Sequence, residues 1–294
     1  MALQTARKET YKFQFCFGSD NVHELPDQET DIYKTDVEVY SLADANEASL
    51  SLPTCSYRPD GLDIKYVSEK ALDAYLRELA KKPDQKCGDT ALMKAIHAKS
   101  DVSPGVIEGG FTIWDGSRYL IEHLLAKYPP DFFRSNSVLE LGCGCGLPGL
   151  VAMKLGASTV TFQDYNPDVL TFWTIPNVKL NSTPVDGFVV NFYSGDWLHL
   201  AEKWAGSNCP KYDIVLASET VYRPDLYVRF HRILEVALEP RGTVYLLSKS
   251  SYGSGGTIYD FLEFVSSHSM FAYDVEEVKA KGCVRCLVRL TWKH

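Results

Sequence analysis

Val138-Leu139-Glu140-Leu141-Gly142-Cys143-Gly144-Cys145-Gly146 is an apolar run that breaks into glycines at every second position. It passes directly into the apolar helix pattern of 147–155, with Pro148 in the first turn. The order is strand, tight loop, helix. Glycine lets the chain turn sharply and lets backbone approach a ligand that a Cβ would exclude. The helix N-terminus behind the loop favours a polar or anionic group. The next apolar run, 160–163, leads into Asp164, which lies 18 residues beyond Gly146. A carboxylate at that place in a βαβ unit can accept hydrogen bonds from both hydroxyls of a ribose. Nicotinamide sites use Gly-x-Gly-x-x-Gly, so that the helix meets a pyrophosphate. Here the spacing is Glu-x-Gly-x-Gly-x-Gly, with Glu140 ahead of the loop. That acid repels a pyrophosphate. It either attracts a ligand amino group or is satisfied by nearby backbone N–H groups.

Outward from the loop, strand and helix patterns alternate. Strands are expected at 138–141, 160–163, 188–193, 214–217 and 243–248, and helices at 117–127, 147–155, 167–180 and 224–238. After Gly253-Ser254-Gly255-Gly256 come a helix pattern at 258–268 and two strand-like runs, 271–278 and 284–292, joined by a Lys-Gly turn. The alternation predicts a Rossmann-like α/β fold whose parallel sheet is covered on both faces, with an antiparallel hairpin at one edge and seven strands in all. Residues 100–110 are turn-rich and mark a boundary before this main domain. Ahead of it, Ala71, Leu72, Tyr75, Leu76 and Leu79 predict a helix over 69–82, capped by Ser68 and stopped by Pro83.

The chain has 294 residues, 45% hydrophobic and 23% charged, which suits a globular protein with a sizeable core. No apolar run approaches the ~18 residues of a spanning helix, and no signal-peptide pattern opens the chain. A soluble intracellular protein is expected. Lys plus Arg number 30 against 38 Asp plus Glu, a formal charge of −8. Residues 1–60 hold 5 basic and 11 acidic side chains, most of that excess. Such a segment repels phosphate backbones, and it is either a solvated acidic arm or a dock for a basic partner. Within it Phe13, Phe15 and Phe17 alternate like a strand that could pair with the main domain. The eight cysteines do not read as a disulfide framework in a chain of this size. Cys283 and Cys286 form a Cys-x-x-Cys inside a strand pattern with no second pair at zinc spacing, so free thiols and no metal are expected.

Several motifs recur in one order: Glu108-Gly-Gly-Phe-Thr-Ile113-Trp114-Asp115-Gly116-Ser117, Leu141-Gly142-Cys143-Gly144, Phe162-Gln163-Asp164-Tyr165-Asn166 and Pro176-Asn177-Val178. Ser194-Gly195-Asp196-Trp197, Ser218-Glu219-Thr220-Val221-Tyr222 and the glycine loop at 253–256 complete the series. Over roughly residues 100–294 the chain resembles the eukaryotic histidine protein methyltransferases, the type that modifies a histidine of large-subunit ribosomal protein L-three. The resemblance implies residues 106–294 as a seven-β-strand methyltransferase domain, with residues 1–105 an acidic, partly ordered N-terminal extension. It implies S-adenosylmethionine as cofactor, a basic protein as partner, a monomer, and residence in cytoplasm and nucleus, the nucleolus included. No direct nucleic-acid or membrane partner is expected.

By the same resemblance, cofactor contacts fall on Ile113, Trp114, Asp115, Gly116, Ser117, Gly142, Gln163, Asp164, Tyr165, Gly195, Asp196, Trp197 and Ser218. Trp114 either lines the methionine end or is a packing aromatic. Asp164 takes the ribose and Tyr165 lies along the adenine. Asp196 accepts the adenine amino hydrogens with Trp197 as a second wall, or the two are a turn acid and a core aromatic. Ser218 faces the transferred methyl. The family usually reads Ile-Trp-Glu-Cys-Thr where this chain has Ile113-Trp114-Asp115-Gly116-Ser117, which keeps the charge on a shorter side chain.

Histidine chemistry asks little of a base. An imidazole with pKa ~6.5 is mostly neutral at pH 7, whereas a lysine with pKa ~10.4 must first lose a proton at a cost of about 4.6 kcal/mol. Glu219 and Tyr222, just after the fourth strand, stand where α/β ligands bind. They are the expected catalytic pair, Glu219 accepting the distal imidazole N–H and Tyr222 walling the acceptor slot; otherwise Glu219 caps the next helix. The loop 252–256 either gates the acceptor or simply connects. His97, His123, His199, His231 and His268 are scattered and read as structural. A protein-lysine methyltransferase of the same fold is the nearest rival, because Glu-x-x-Tyr resembles that group as well.

Overall fold

Buried residues change sides at each step along the central strands, so both faces of the sheet are covered. Val138, Val160, Phe162, Ile214 and Leu216 enter one hydrophobic cluster. Leu139, Leu141, Val215 and Ala217 enter the other. The computed structural model describes Tyr33 and residues 36–81, 102–182, 188–206, 209–278, 280 and 282–293. The Phe13, Phe15 and Phe17 pattern and His97 lie outside these residues.

One sheet organises the chain. Its strands are β1 (Glu38–Tyr40), β2 (Ser137–Leu141), β3 (Thr159–Asp164), β4 (Val189–Ser194), β5 (Tyr212–Ser218), β6 (Leu238–Lys249), β7 (Phe271–Val278) and β8 (Arg285–Trp292). They lie in the order β1-β4-β3-β2-β5-β6-β8-β7. Strands β2 to β6 are mutually parallel. The expected hairpin is present, with β8 antiparallel to both β6 and β7. The sheet has eight strands rather than seven, because β1 pairs antiparallel with β4 at the far edge. A three-residue run with an exposed valine carries too little periodicity to be read in advance.

The helices are α1 (Glu69–Ala80), α2 (Asp115–Lys127), α3 (Leu147–Lys154), α4 (Ile175–Asn181), α5 (Trp197–Trp204), α6 (Asp225–Ala237) and α7 (Ile258–His268). Ser68 takes the N-cap position of α1, but its side chain makes no capping bond. The helix expected over 167–180 is broken by a π turn at Leu170–Thr174, just before Pro176 in the first turn of α4. Proline lacks the N–H that would continue the ladder. Helix α5, which the alternation does not predict, starts directly on the Gly195-Asp196-Trp197 motif. Asp196 caps it through bonds from the backbone N–H of Leu198 and His199.

The described residues, from Tyr33 onward, form one compact unit, so the boundary expected at 105/106 falls inside it. The cause is packing. Ile64, Val67, Leu72 and Leu76 are buried in the same cluster as β2 and β3. Asn177 accepts the Val67 N–H at 2.7 Å, and Trp173 donates to the Val67 carbonyl at 2.9 Å. Buried polar groups must be paired, and these pairings tie the antiparallel hairpin of Thr54–Tyr57 and Ile64–Val67 to the α4 region.

The chain runs outward from β2 to β3 and β4, then returns to place β5 on the other side of β2. Ligands of open α/β sheets bind outside the carboxyl ends of the strands at such a reversal. Gly142, Asp164, Gly195 and Ser218 all stand there.

Candidate active site

The strand ends open into a cleft of ≈ 760 Å³. Its floor is the glycine loop, where Gly142, Gly144 and Gly146 have φ of 62°, 51° and 80°. A side chain in the left-handed region is strained, which is why glycine recurs at every second position. The turn aims the Gly144 N–H at Asp164 Oδ2, 2.9 Å away, while the Asn166 N–H donates to Oδ1 at 3.1 Å. Asp164 is 4% exposed. Burial pushes its carboxyl up to about 6, although backbone N–H donors pull the other way. Gln163 lies fully buried beneath the floor. Its amide donates to the Gly195 carbonyl at 2.8 Å and accepts from Trp197 Nε1 at 2.6 Å, tying β3 to the end of β4. Asp196 Oδ1 accepts from Arg229 Nη1 at 2.6 Å, both side chains nearly inaccessible. The Arg229 guanidinium sits 4.0 Å from the ring centroid of Tyr33, which lines the cleft and stands edge-on to Tyr165.

Of the expected site residues, Trp114, Ser117, Gly142, Asp164, Tyr165, Gly195, Asp196, Trp197, Ser218, Glu219 and Tyr222 line this cleft. Ile113, Asp115, Gly116 and Gln163 do not. Gly116 instead makes room for Glu219, since a Cβ there would come within 2.6 Å of Glu219 Cγ. Glu140 is resolved in favour of backbone. Its Oε2 accepts the Gly149 N–H at 2.8 Å under helix α3, and it is absent from the cleft lining. Burial pushes its carboxyl up to about 8. Cys143 and Cys145 are free and buried, as expected, and burial pushes the Cys145 thiol up to about 12. They are neutral thiols rather than nucleophiles.

A second cavity of ≈ 390 Å³ adjoins the first, lined by Val102, Glu108, Trp114, Glu219, Tyr222, Lys249 and Tyr252. Glu108, Trp114, Glu219 and Tyr222 face both spaces. Glu219 follows β5 directly and has φ of 57°, a conformation that costs a non-glycine residue on the order of 1–3 kcal/mol. It does not cap α6, whose N-cap position is Pro224. Its Oε1 accepts from Arg285 Nε at 3.1 Å, an ion pair with side chains 5% and 3% exposed. Its Oε2 accepts from the Tyr252 hydroxyl. Tyr222 donates to Glu108 Oε2, which also receives Arg223 Nη1 at 3.3 Å. Burial pushes both tyrosine hydroxyls well above their ordinary range, with the neighbouring carboxylates adding to it.

Sequence reasoning missed Tyr33, Arg223, Arg229 and Arg285 as members of this arrangement. None of the four carries a local signal that marks it; even Arg285 shares its strand pattern with a second arginine, Arg289. Thr220, to which its motif assigns no role, lines the cleft with its Oγ1 buried and unpartnered among the described residues.

The model of the lysine methyltransferase family matches residues 95–266. The chain belongs to that family. Histidine protein methyltransferase 1 homolog of Bos taurus is 35% identical over 232 residues, 70% of this chain and 61% of that protein. This chain therefore spans about three fifths of the length of that relative. Electron transfer flavoprotein beta subunit lysine methyltransferase of Danio rerio is 28% identical over 135 residues, 46% of each protein. Among solved structures, a putative SAM-dependent methyltransferase from Streptococcus mutans superposes with a TM-score of 0.51 at 11% identity, over 81% of this chain and 55% of that one. The fold is the α/β fold of S-adenosylmethionine-dependent methyltransferases.

Proposed function

We propose that this chain is a protein-histidine N-methyltransferase that moves a methyl group from S-adenosylmethionine to an imidazole nitrogen, with large-subunit ribosomal protein L-three as substrate. The observation that carries the reading is the charge of the cleft. Glu108, Asp164, Asp196 and Glu219 line it, and no Lys, Arg or His does among the described residues. Arg223, Arg229 and Arg285 pair with three of them from behind, and Asp164 is held by backbone N–H groups alone. Such a lining leaves a phosphate without a partner and suits a ligand with a cationic amino-acid end. The unpartnered Thr220 hydroxyl adds one polar group awaiting a ligand.

When bound, the cofactor supplies an electrophilic methyl group. Asp164 would hold the ribose hydroxyls, Asp196 and Trp197 the adenine, and Trp114 the methionine end. Trp114, Glu219 and Tyr222 stand between the two cavities, so an acceptor ring in the smaller one meets them from the other side. Each carboxylate oxygen has two acceptor sites. Oε1 of Glu219 spends one on Arg285, leaving one for the distal imidazole N–H. Held there, the ring keeps its other nitrogen's lone pair pointed towards the cleft. The carboxylate then stabilises the charge that builds on the ring until the distal proton leaves. Alignment of this kind supplies most of the acceleration, and no strong base is needed.

The lysine reading rests on the family's description and on the flavoprotein-modifying relative. Incubation with radiolabelled S-adenosylmethionine and ribosomal extract, followed by acid hydrolysis, separates the two. Methylhistidine is expected, with a single-turnover rate that rises through pH ~6.5 and levels off by about pH 8. Methyllysine, with a rate still climbing at pH 9, overturns the histidine assignment.

A further inference from the structure

Lys249 ends β6 inside the smaller cavity. Its ammonium lies 5.5 Å from the ring centroid of Trp114 and 5.5 Å from that of Tyr252. Both rings line the same space, so the chain's own cation occupies the aromatic faces that an incoming cation would use. The cavity's two carboxylates already have cationic partners, Glu108 in Arg223, which it shares with Asp225, and Glu219 in Arg285. Lys249 pairs with no carboxylate among the described residues. Lys249 is the one cation that lines the cavity among the described residues, and it has no carboxylate of its own.

Resting on the histidine reading above, we infer that Lys249 is a specificity-determining residue that filters acceptors by charge. Its ammonium turns away protonated lysine and arginine side chains and admits a neutral imidazole. A basic substrate surface presents many cations for each histidine, and without the filter they would fill the cavity unproductively. Like charges about 6 Å apart at an effective dielectric of about 20 repel strongly enough to change occupancy about 10²-fold.

Occupancy is the readout, because a lysine must shed its proton before reacting whichever residue stands at 249. The test uses the peptide carrying the labelled residue from wild-type enzyme, together with twins that replace the acceptor by lysine or by norleucine. Inhibition constants are measured at pH 7. In the wild type the lysine twin should bind about 10²-fold more weakly than the neutral norleucine twin. Lys249→Met and Lys249→Gln should close most of that gap, and Lys249→Arg should preserve it. The wild-type comparison stands even if a variant fails to fold. A lysine twin that binds the wild-type enzyme as tightly as the norleucine twin overturns the filter and leaves histidine transfer intact. So does a gap unchanged in folded Lys249→Met. Recovery of methyllysine from wild-type product overturns the acceptor assignment and the filter together.

Discussion

Asp164, which faces only the larger cleft, and the two carboxylates that line both cavities are held by opposite means. In the larger cleft Asp164 is fixed by the backbone N–H of Gly144 and Asn166, groups 20 and 2 residues away. In the smaller one Glu219 is fixed by Arg285 and Tyr252, side chains 66 and 33 residues away. Glu108 is fixed by Tyr222, 114 residues away. A carboxylate held by backbone can be exchanged without unfolding its surroundings, because strand and loop remain. One held by a distant guanidinium is part of what joins the elements. Ligand affinity should therefore be the sensitive quantity in the cleft, and stability and turnover should move together beside it.

The largest expected effect belongs to Asp164. Charge-assisted bonds to two ribose hydroxyls contribute ~1.5–3 kcal/mol each, so Asp164→Ala should weaken cofactor binding by about 10²- to 10⁴-fold in calorimetry while the fold persists. The same carboxylate sets a pH dependence. Its acid group is raised to about 6 in the folded chain. The folded state thus holds the proton more tightly than the unfolded one, and this group favours folding below about 4 and loses that contribution as pH rises through 6. Binding runs the other way, since hydroxyl donors need the ionised form. Affinity should fall as pH drops below about 6, and Asp164→Asn should flatten that fall. Unchanged affinity in folded Asp164→Ala would remove the residue from the cofactor site.

Arg285 tests the other half of the contrast. Arg285→Met leaves the buried Glu219 carboxylate unpaired, a loss of about 3–5 kcal/mol that chemical denaturation would register. Whatever remains folded should bind the cofactor nearly normally but turn over slowly. A variant of wild-type stability would mean that the ion pair contributes nothing to joining β8 with β5. Glu219→Gln comes next in size. The amide can still accept from Arg285, so cofactor affinity should hold while turnover drops about 10²-fold, or about 2.7 kcal/mol. Normal turnover per folded molecule would reduce Glu219 to a structural anchor.

The same contrast explains what the sequence disclosed. The glycine loop, Asp164 and most of the alternation of strand and helix are local patterns with fixed periods and lie close to their expected bounds. The exceptions are β6, which begins five residues earlier than expected, the 167–180 helix, broken by its π turn, and α5, which the pattern does not predict. The hairpin of β7 and β8 was legible because its two apolar runs flank a short turn. Arg285, Arg223 and Tyr33 were not legible as site residues, because their meaning depends on which distant elements the fold brings together. Residues 36–81 were misjudged for a related reason. Their charge and short apolar runs suggest an extension, while Ala45, Ile64, Tyr66, Val67, Leu72 and Leu76 are buried in the core. Glu219 could be placed at its strand end by topology, but its partners could not.

The smallest expected effect sharpens the boundary of the cleft. Glu140 precedes the glycine loop and carries the charge that first argued against a pyrophosphate, yet its Oε2 is bonded to the Gly149 N–H and it does not reach the cleft. With its carboxyl pushed up to about 8, it is mostly protonated at pH 7 and resembles an amide in charge and shape. Glu140→Gln should therefore change stability at pH 7 by less than about 1 kcal/mol and cofactor affinity by less than about threefold. Its signature lies in the pH profile. A buried acid raised in the folded state favours folding below its unfolded value of 4.5 and progressively loses that contribution as pH rises to 8. Wild-type stability should decline across that window more steeply than that of Glu140→Gln, and denaturant titrations at pH 5, 7 and 8.5 would show the two curves diverging upward in pH. Parallel curves would mean that Glu140 is ionised in the folded chain. A tenfold loss of cofactor affinity would mean that the carboxylate reaches the ligand after all, and that the cleft is deeper than its lining indicates.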